Sequence, residues 1–297
     1  MVFLAYKYRQ HYLPEGKSMN SNPLSQYFRQ PAIYIRLPSQ GRFYPPGSID
    51  MPANGELPVL PMTTLDEITY RTPDALFNGQ AVASVIESCV PNIKTAWQVP
   101  AMDIDTILIA IRIATYGHQL DVDTKCPNCE SENTFGVDLR HVLDRIKAPD
   151  YNQTVKHSDL EIYFRPMTYG NINENSLAQF EEQKSLQIID ENTEQTAESR
   201  SQQLSEILRQ ITSVTVKALA QSIAAVKTPQ ATVSESQHIE EWLSNCDRKL
   251  FSTIRDHIIK IKQSGEIAPL DCQCGSCQHQ YQQPLTLNMS DFFEAAS

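Results

Sequence analysis

Cys126-Pro127-Asn128-Cys129 and Cys274-Gly275-Ser276-Cys277 each set two thiols three positions apart, so that one tight turn presents both sulfurs to a common point. Four thiolates suit a tetrahedral Zn²⁺ at Zn–S of ~2.3 Å, and with every position filled by sulfur no place is left for a catalytic water. The pattern therefore reads as one structural Zn²⁺ held by Cys126, Cys129, Cys274 and Cys277. A redox dithiol is the competing chemistry, but it belongs to a strand-to-helix context, whereas strand-like runs follow both motifs here. Cys272 and His279 lie close enough to be alternative ligands and rank below the four; Cys89 and Cys246 read as core thiols. His11, His118, His141, His157, His238 and His257 form no cluster with His279, and there is no phosphate-cradling loop, His-Glu-x-x-His or Gly-x-Ser-x-Gly. No catalytic constellation is present, and an enzyme is not expected.

The two cysteine pairs are separated by 144 residues, far more than in a compact zinc ribbon. An internal repeat answers that objection. Pro61-Met62-Thr63 and Pro166-Met167-Thr168 each follow a strand-like run, and Gly117 and Gly265 both lie nine residues before the first cysteine of a pair. Ile111 and Ile113 match Ile259 and Ile261, while Val137 and Leu139 match Leu285 and Leu287. Each half is thus written strand, Pro-Met-Thr, helices, Gly, strand, Cys-x-x-Cys, strand, which implies duplication and a pseudo-two-fold that brings the two knuckles together.

The elements that must position these turns follow from caps and periodicity. Thr64 and Glu67 have capping-box spacing, Thr72-Pro73-Asp74 opens a further helix, and Asn78-Gly79 closes it. Ala81 to Val90 is an apolar stretch closed by Pro91. Asp103 is expected to cap a helix over Ile104 to Tyr116 that Gly117 ends, apolar nearly all round and hence buried. Arg112 within it reads as one partner of a buried or interface ion pair. Residues 174–226 carry Leu177, Phe180, Leu204, Ile207, Leu208, Ile211, Val214, Leu219 and Ile223 at helical spacing, either as one long helix or as two with a turn near 190–203. Glu181 and Glu182 there read as a solvated face, and a last helix is expected from about Glu240 to Gln263.

At 297 residues, 41 % of them hydrophobic, the chain has ample material for a buried core, and its longest apolar runs are too short to cross a bilayer. The start lacks the order of a secretory signal, so the protein is expected in the cytoplasm of the cell that makes it, with Met19 a possible translation start. A formal charge of −10 disfavours general nucleic-acid binding. That charge is uneven: residues 1–45 hold six bases against one acid and nine of the 24 aromatic residues. Such an arm could stack on bases or dock on an acidic protein surface, its own body or a partner.

The residues Asn22-Pro23-Leu24, Tyr34 through Gly41, Leu60-Pro61-Met62-Thr63, Asp66-Glu67, Thr72 through Gly79, Ser88-Cys89-Val90-Pro91 and Ile109 through Gly117 carry a resemblance. Together with Cys274-Gly275-Ser276-Cys277 and the Asp291-Phe292-Phe293 ending, this pattern resembles the T-even-type baseplate hub assembly proteins of contractile-tailed bacteriophages. It is most specific over residues 20–140; the stretch 171–245 is similar only in its helical pattern, and the first 18 residues depart from it. The resemblance implies a non-enzymatic protein of the host cytoplasm or of the finished virion that contacts baseplate hub and tail proteins and carries no catalytic residues.

The expected fold is α+β: a basic arm (1–45), a first repeat (46–145) and a second repeat (146–297) with a helical section over 171–263, joined through a zinc-ribbon-like four-cysteine site. The competing function is a zinc-ribbon nucleic-acid-binding or transcription factor, favoured by the arm and opposed by the acidic body.

Overall fold

The computed structural model describes residues 22–72, 77–191 and 197–285. The proposed starts at Met19 and at Thr72-Pro73-Asp74, the Leu287 equivalence and the Asp291-Phe292-Phe293 ending depend on residues outside these ranges. Residues up to Gln30 form a unit of their own, in which Pro23–Tyr27 makes a 3-10 turn and Asn22 Oδ1 accepts from the Leu24 N–H at 2.9 Å.

The body begins at Pro31. In it β1 (Ile33–Ile35) pairs antiparallel with β2 (Leu57–Val59), and α1 (Thr64–Tyr70), α2 (Gln80–Cys89) and α3 (Ala101–Tyr116) follow. The hairpin β3 (Gln119–Lys125) and β4 (Glu132–Asp138) leads into α4 (Leu139–Arg145). Next, β5 (Val155–His157) and β6 (Leu160–Phe164) join β7 (Ile223–Lys227) and β8 (Thr232–Val233) in a four-stranded antiparallel sheet. Between β6 and β7 stand α5 (Tyr169–Glu191) and α6 (Ala197–Gln221). The chain closes with α7 (Ser236–Asn245), α8 (Arg248–Ser264) and the hairpin β9 (Leu270–Gln273) with β10 (Gln280–Gln283).

Two hydrophobic cores organise these elements. The first surrounds α3, whose Ile107 to Ile111 are wholly buried against α2 and the β1–β2 pair; a helix apolar on every side is stable only in such a place. The second lies between the four-stranded sheet and α6 to α8, where Leu250, Ile254, Ile258 and Ile261 form one stripe facing Ile162, Phe164 and Val226. Burying each such Leu or Ile contributes roughly 1.5–3 kcal/mol. Pro166-Met167-Thr168 docks beside the first core. The Ala101 N–H donates to Met167 O and the Tyr169 N–H to Val99 O, both at 2.8 Å, and Trp97 stacks on Tyr169 with ring centroids 5.3 Å apart. The Tyr169 hydroxyl donates to Gly79 O at 3.0 Å. Gly79 has φ +76°, a left-handed backbone that favours glycine, and a Cβ there would also push on the Asn173 side chain.

Several local expectations are corrected. The capping box of α1 is Thr63 with Asp66, not Thr64 with Glu67: the Asp66 N–H donates to Thr63 Oγ1 at 3.2 Å and the Thr63 N–H to Asp66 Oδ2 at 2.7 Å. Thr63 is the extended residue after Pro61-Met62, so the cap falls there, and Glu67 instead accepts from the Tyr116 hydroxyl at 3.0 Å. Thr168 makes the same reciprocal pair with Asn171, at 3.2 and 3.1 Å. The 174–226 stretch is two helices, and Ile223 belongs to β7, so strands interrupt the section 171–263. The last helix is also two, broken where the Asp247 carboxylate accepts from the Lys249 and Leu250 N–H groups. Ile111 is buried but its partner in the repeat, Ile259, is exposed.

Asp103 does not cap α3, which starts at Ala101. It is wholly buried in the first turn and accepts from the Ser39 N–H at 2.8 Å, the Ser39 hydroxyl at 2.5 Å and the Tyr44 hydroxyl at 3.1 Å. It thereby anchors the loop over residues 38–44, where Gln40, Gly41 and Phe43 take positive φ. Burial outweighs these hydrogen bonds and pushes its carboxyl from 3.8 up to about 6. An acid raised on folding costs stability where it is ionised, so its penalty is absent below the unfolded pKa and complete above the folded one. Relative to Asp103→Asn, the wild-type chain should lose roughly 3 kcal/mol as pH rises from about 4 to above 6. Urea unfolding across that window checks this, and a flat difference contradicts it.

Candidate metal centre

The two short hairpins build the site. Pairing runs up to Lys125 with Glu132 in β3–β4 and to Gln273 with Gln280 in β9–β10, leaving each Cys-x-x-Cys as the connecting turn. The turns share their backbone bonding: the Cys126 N–H donates to Ser131 O at 3.0 Å and the Glu130 N–H to Cys126 O at 2.9 Å. In the second, Cys274 N–H donates to His279 O at 2.9 Å and Gln278 N–H to Cys274 O at 3.0 Å. Glu130 and Gln278, each directly after the second cysteine, both take left-handed backbone, at φ 58° and 60°. The two turns thus reverse the chain at the same position.

The turns converge. Cys126 Sγ lies 3.6 Å from Cys277 Sγ, Cys129 Sγ lies 3.6 Å from Cys274 Sγ, and all four sulfurs fall within 4.8 Å of one another. A tetrahedron with metal–sulfur bonds of ~2.3 Å has edges of ~3.8 Å, so the four positions fit one thiophilic ion. Cys126 and Cys274 are buried and Cys129 and Cys277 exposed, which puts the site at the surface with its inner edge sealed.

Neighbouring donors treat the sulfurs unequally. Backbone N–H donation from Cys277, helped by Ser276, holds the Cys274 thiol down to about 6. Donation from the Asn128 side chain, at 3.6 Å, is foremost in lowering Cys277. Burial pushes Cys126 up to about 11.

Asn133 on β4 joins the knuckles: its Oδ1 accepts from the Gly275 N–H at 2.9 Å, while its Nδ2 donates to Ser131 O at 2.9 Å and lies 3.8 Å from Cys274 Sγ. Thr124 and Tyr281 hydroxyls meet at 2.5 Å, and Phe135 meets Tyr281 edge-on at 6.4 Å. Sequence reasoning missed Asn133, Thr124 and Tyr281. The repeat pairs Asn133 with Tyr281 and Thr124 with Cys272, so nothing in its pattern singles them out.

Among the described residues Cys272 and His279 fall outside the sulfur cluster: Cys272 is buried in β9 and His279 stacks near Tyr281. Cys89 is in the first core and Cys246 is half-buried against the second. Arg112 is buried with its guanidinium 5.5 Å from the Tyr116 ring centroid.

These features define a two-core mixed helix-and-sheet protein whose two Cys-x-x-Cys turns meet in a four-thiol cluster able to hold a metal ion. A family model described as T4 bacteriophage base plate protein matches residues 61–294, from the first Pro-Met-Thr past the second knuckle, and the chain belongs to that family. No curated protein and no solved structure matches it. Membership gives it a structural or assembly role in the phage baseplate, among other tail proteins. No helix among the described residues is long and apolar enough to cross a membrane.

Removing the Asn133 side chain deletes the bridge to Gly275 and the donor facing Cys274. Asn133→Ala should weaken capture of Zn²⁺ or Cd²⁺ by about 10- to 100-fold, read by competition with a chromophoric chelator. An unchanged affinity contradicts a supporting role for Asn133.

Proposed function

We propose that this protein is a non-enzymatic baseplate hub assembly factor or structural component that works through contacts with hub and tail proteins. One structural Zn²⁺, held by Cys126, Cys129, Cys274 and Cys277, clasps its two halves. The observation that carries the functional reading is the family match, which spans both halves and both knuckles. Site chemistry agrees with it, because four sulfur donors leave no open position at which a metal could act on a substrate. Duplication of an ancestral half accounts for the two threonine capping pairs and for the matching knuckle backbones. We infer assembly in the host cytoplasm.

The nucleic-acid reading needs basic surface around the knuckles. Instead the hairpin strands bear Asp121, Asp123, Glu132, Asp138 and Asp271 against Lys125, a field that repels a phosphate backbone.

Quantitative mass spectrometry of mature phage particles beside infected-cell assembly intermediates tests the function. A fixed integer copy number in particles identifies a structural component, and presence in intermediates alone identifies an assembly factor. Absence from both contradicts the proposal. For the metal, one Zn²⁺ per purified chain is expected, with a lowered thermal midpoint on chelation and in Cys126→Ser and Cys277→Ser. A metal-free chain whose midpoint ignores chelator contradicts the clasp.

A further inference from the structure

The thiols that would hold the ion also stand in pairs able to bond to each other. Cys126 faces Cys277 and Cys129 faces Cys274, both at 3.6 Å between sulfurs, and both pairs run from one hairpin to the other. In each pair one member is buried and the other exposed: Cys126 and Cys274 lie inside, Cys277 and Cys129 outside. An exposed thiolate is open to a peroxide, and a second thiol within reach resolves the product to a disulfide. Each pair thus joins an accessible sulfur to a sheltered partner.

The frame around the pairs is held by bonds that oxidation leaves alone. Asn133 joins the Gly275 N–H to Ser131 O, and the Thr124 and Tyr281 hydroxyls meet between the hairpins. Two sulfurs bonded as a disulfide lie ~2.0 Å apart, so closure from the facing positions asks for a short movement of side chains. Cys272, buried in β9, belongs to neither pair.

We propose that the cluster is also a site of reversible oxidation, at which peroxide converts the metal clasp into two disulfides between the hairpins, Cys126–Cys277 and Cys129–Cys274. The inference rests on the reading of the four thiols as one metal site. The thiolate of Cys277 or Cys129 attacks hydrogen peroxide, forming a sulfenic acid and releasing hydroxide. Its partner, Cys126 or Cys274, then attacks that sulfur as a thiolate, forming the S–S bond and expelling a second hydroxide. Over both pairs the four thiolates give up four electrons, two peroxides are reduced to four hydroxides, and the ion leaves because no thiolate remains to bind it. The hairpins stay tied throughout, by the ion in reducing surroundings and by covalent bonds in oxidising ones.

The test treats the full chain with excess hydrogen peroxide, as purified and after chelation, then blocks remaining thiols with iodoacetamide and digests with trypsin without reduction. Cleavage after Lys125, Arg140 and Lys262 puts Cys126 and Cys129 in one fragment and Cys274 and Cys277 in another. Mass spectrometry should find these two fragments joined, with Cys272 still blocked by iodoacetamide and the joined species lost on adding dithiothreitol. Separate fragments, each closed on its own disulfide, or cysteines carried on to sulfonic acid overturn the proposal. Variants assign the bonds. Cys126→Ser/Cys277→Ser keeps Cys129 with Cys274, and Cys129→Ser/Cys274→Ser keeps Cys126 with Cys277. Each should form its disulfide at least about tenfold faster than Cys274→Ser/Cys277→Ser, which keeps only the pair within one turn. Equal rates overturn the pairing. Zinc content of the untreated chain keeps the two readings apart: joined fragments from a chain purified without zinc contradict the metal site alone, and a zinc-loaded chain whose fragments never join contradicts the oxidation alone.

Discussion

Four sulfurs drawn from two β-turns are the constraint on which the far ends of the chain depend. The paired cysteines stand 145 and 151 residues apart, and each hairpin that supplies them is only two strands wide. A two-stranded ribbon is marginal by itself. Here Asn133 with Gly275 and Thr124 with Tyr281 register the two ribbons, but those are few bonds on which to close so long a loop. A shared tetrahedral ion would supply the missing closure, as cross-links that tie distant residues generally do.

Away from the four sulfurs, distant parts of the chain are joined by packing and backbone. Pro166-Met167-Thr168 lies along Val99 to Ala101, and Tyr169 reaches across to Gly79, so the segment after β6 is oriented on α2 and α3 at a site independent of the sulfurs. Two attachment points fix an orientation that one would leave free to pivot.

Much of this was legible in the chain. The Cys-x-x-Cys spacing and the glycine nine residues before each pair are local signals, and the convergence of the four thiols bears out the reading that the knuckles share one place. The family resemblance is likewise borne out by the match over residues 61–294. What failed to show was set by distant partners. Asp103 has the composition of a cap, yet its carboxylate serves Ser39 and Tyr44, roughly sixty positions earlier. Apolar spacing runs unbroken from Leu243 to Leu250, so periodicity hides the break at Cys246-Asp247 that the Asp247 cap enforces. Ile223 continues the helical pattern of α6, but pairing with Phe164 draws it into the sheet.

The proposed clasp requires one ion sharing all four thiolates. X-ray absorption at the zinc edge of the purified full chain measures that directly. The expected spectrum is a single shell of four sulfurs at ~2.3 Å without nitrogen or oxygen. A mixed shell, fewer than four sulfurs, or a chain purified without zinc would contradict it.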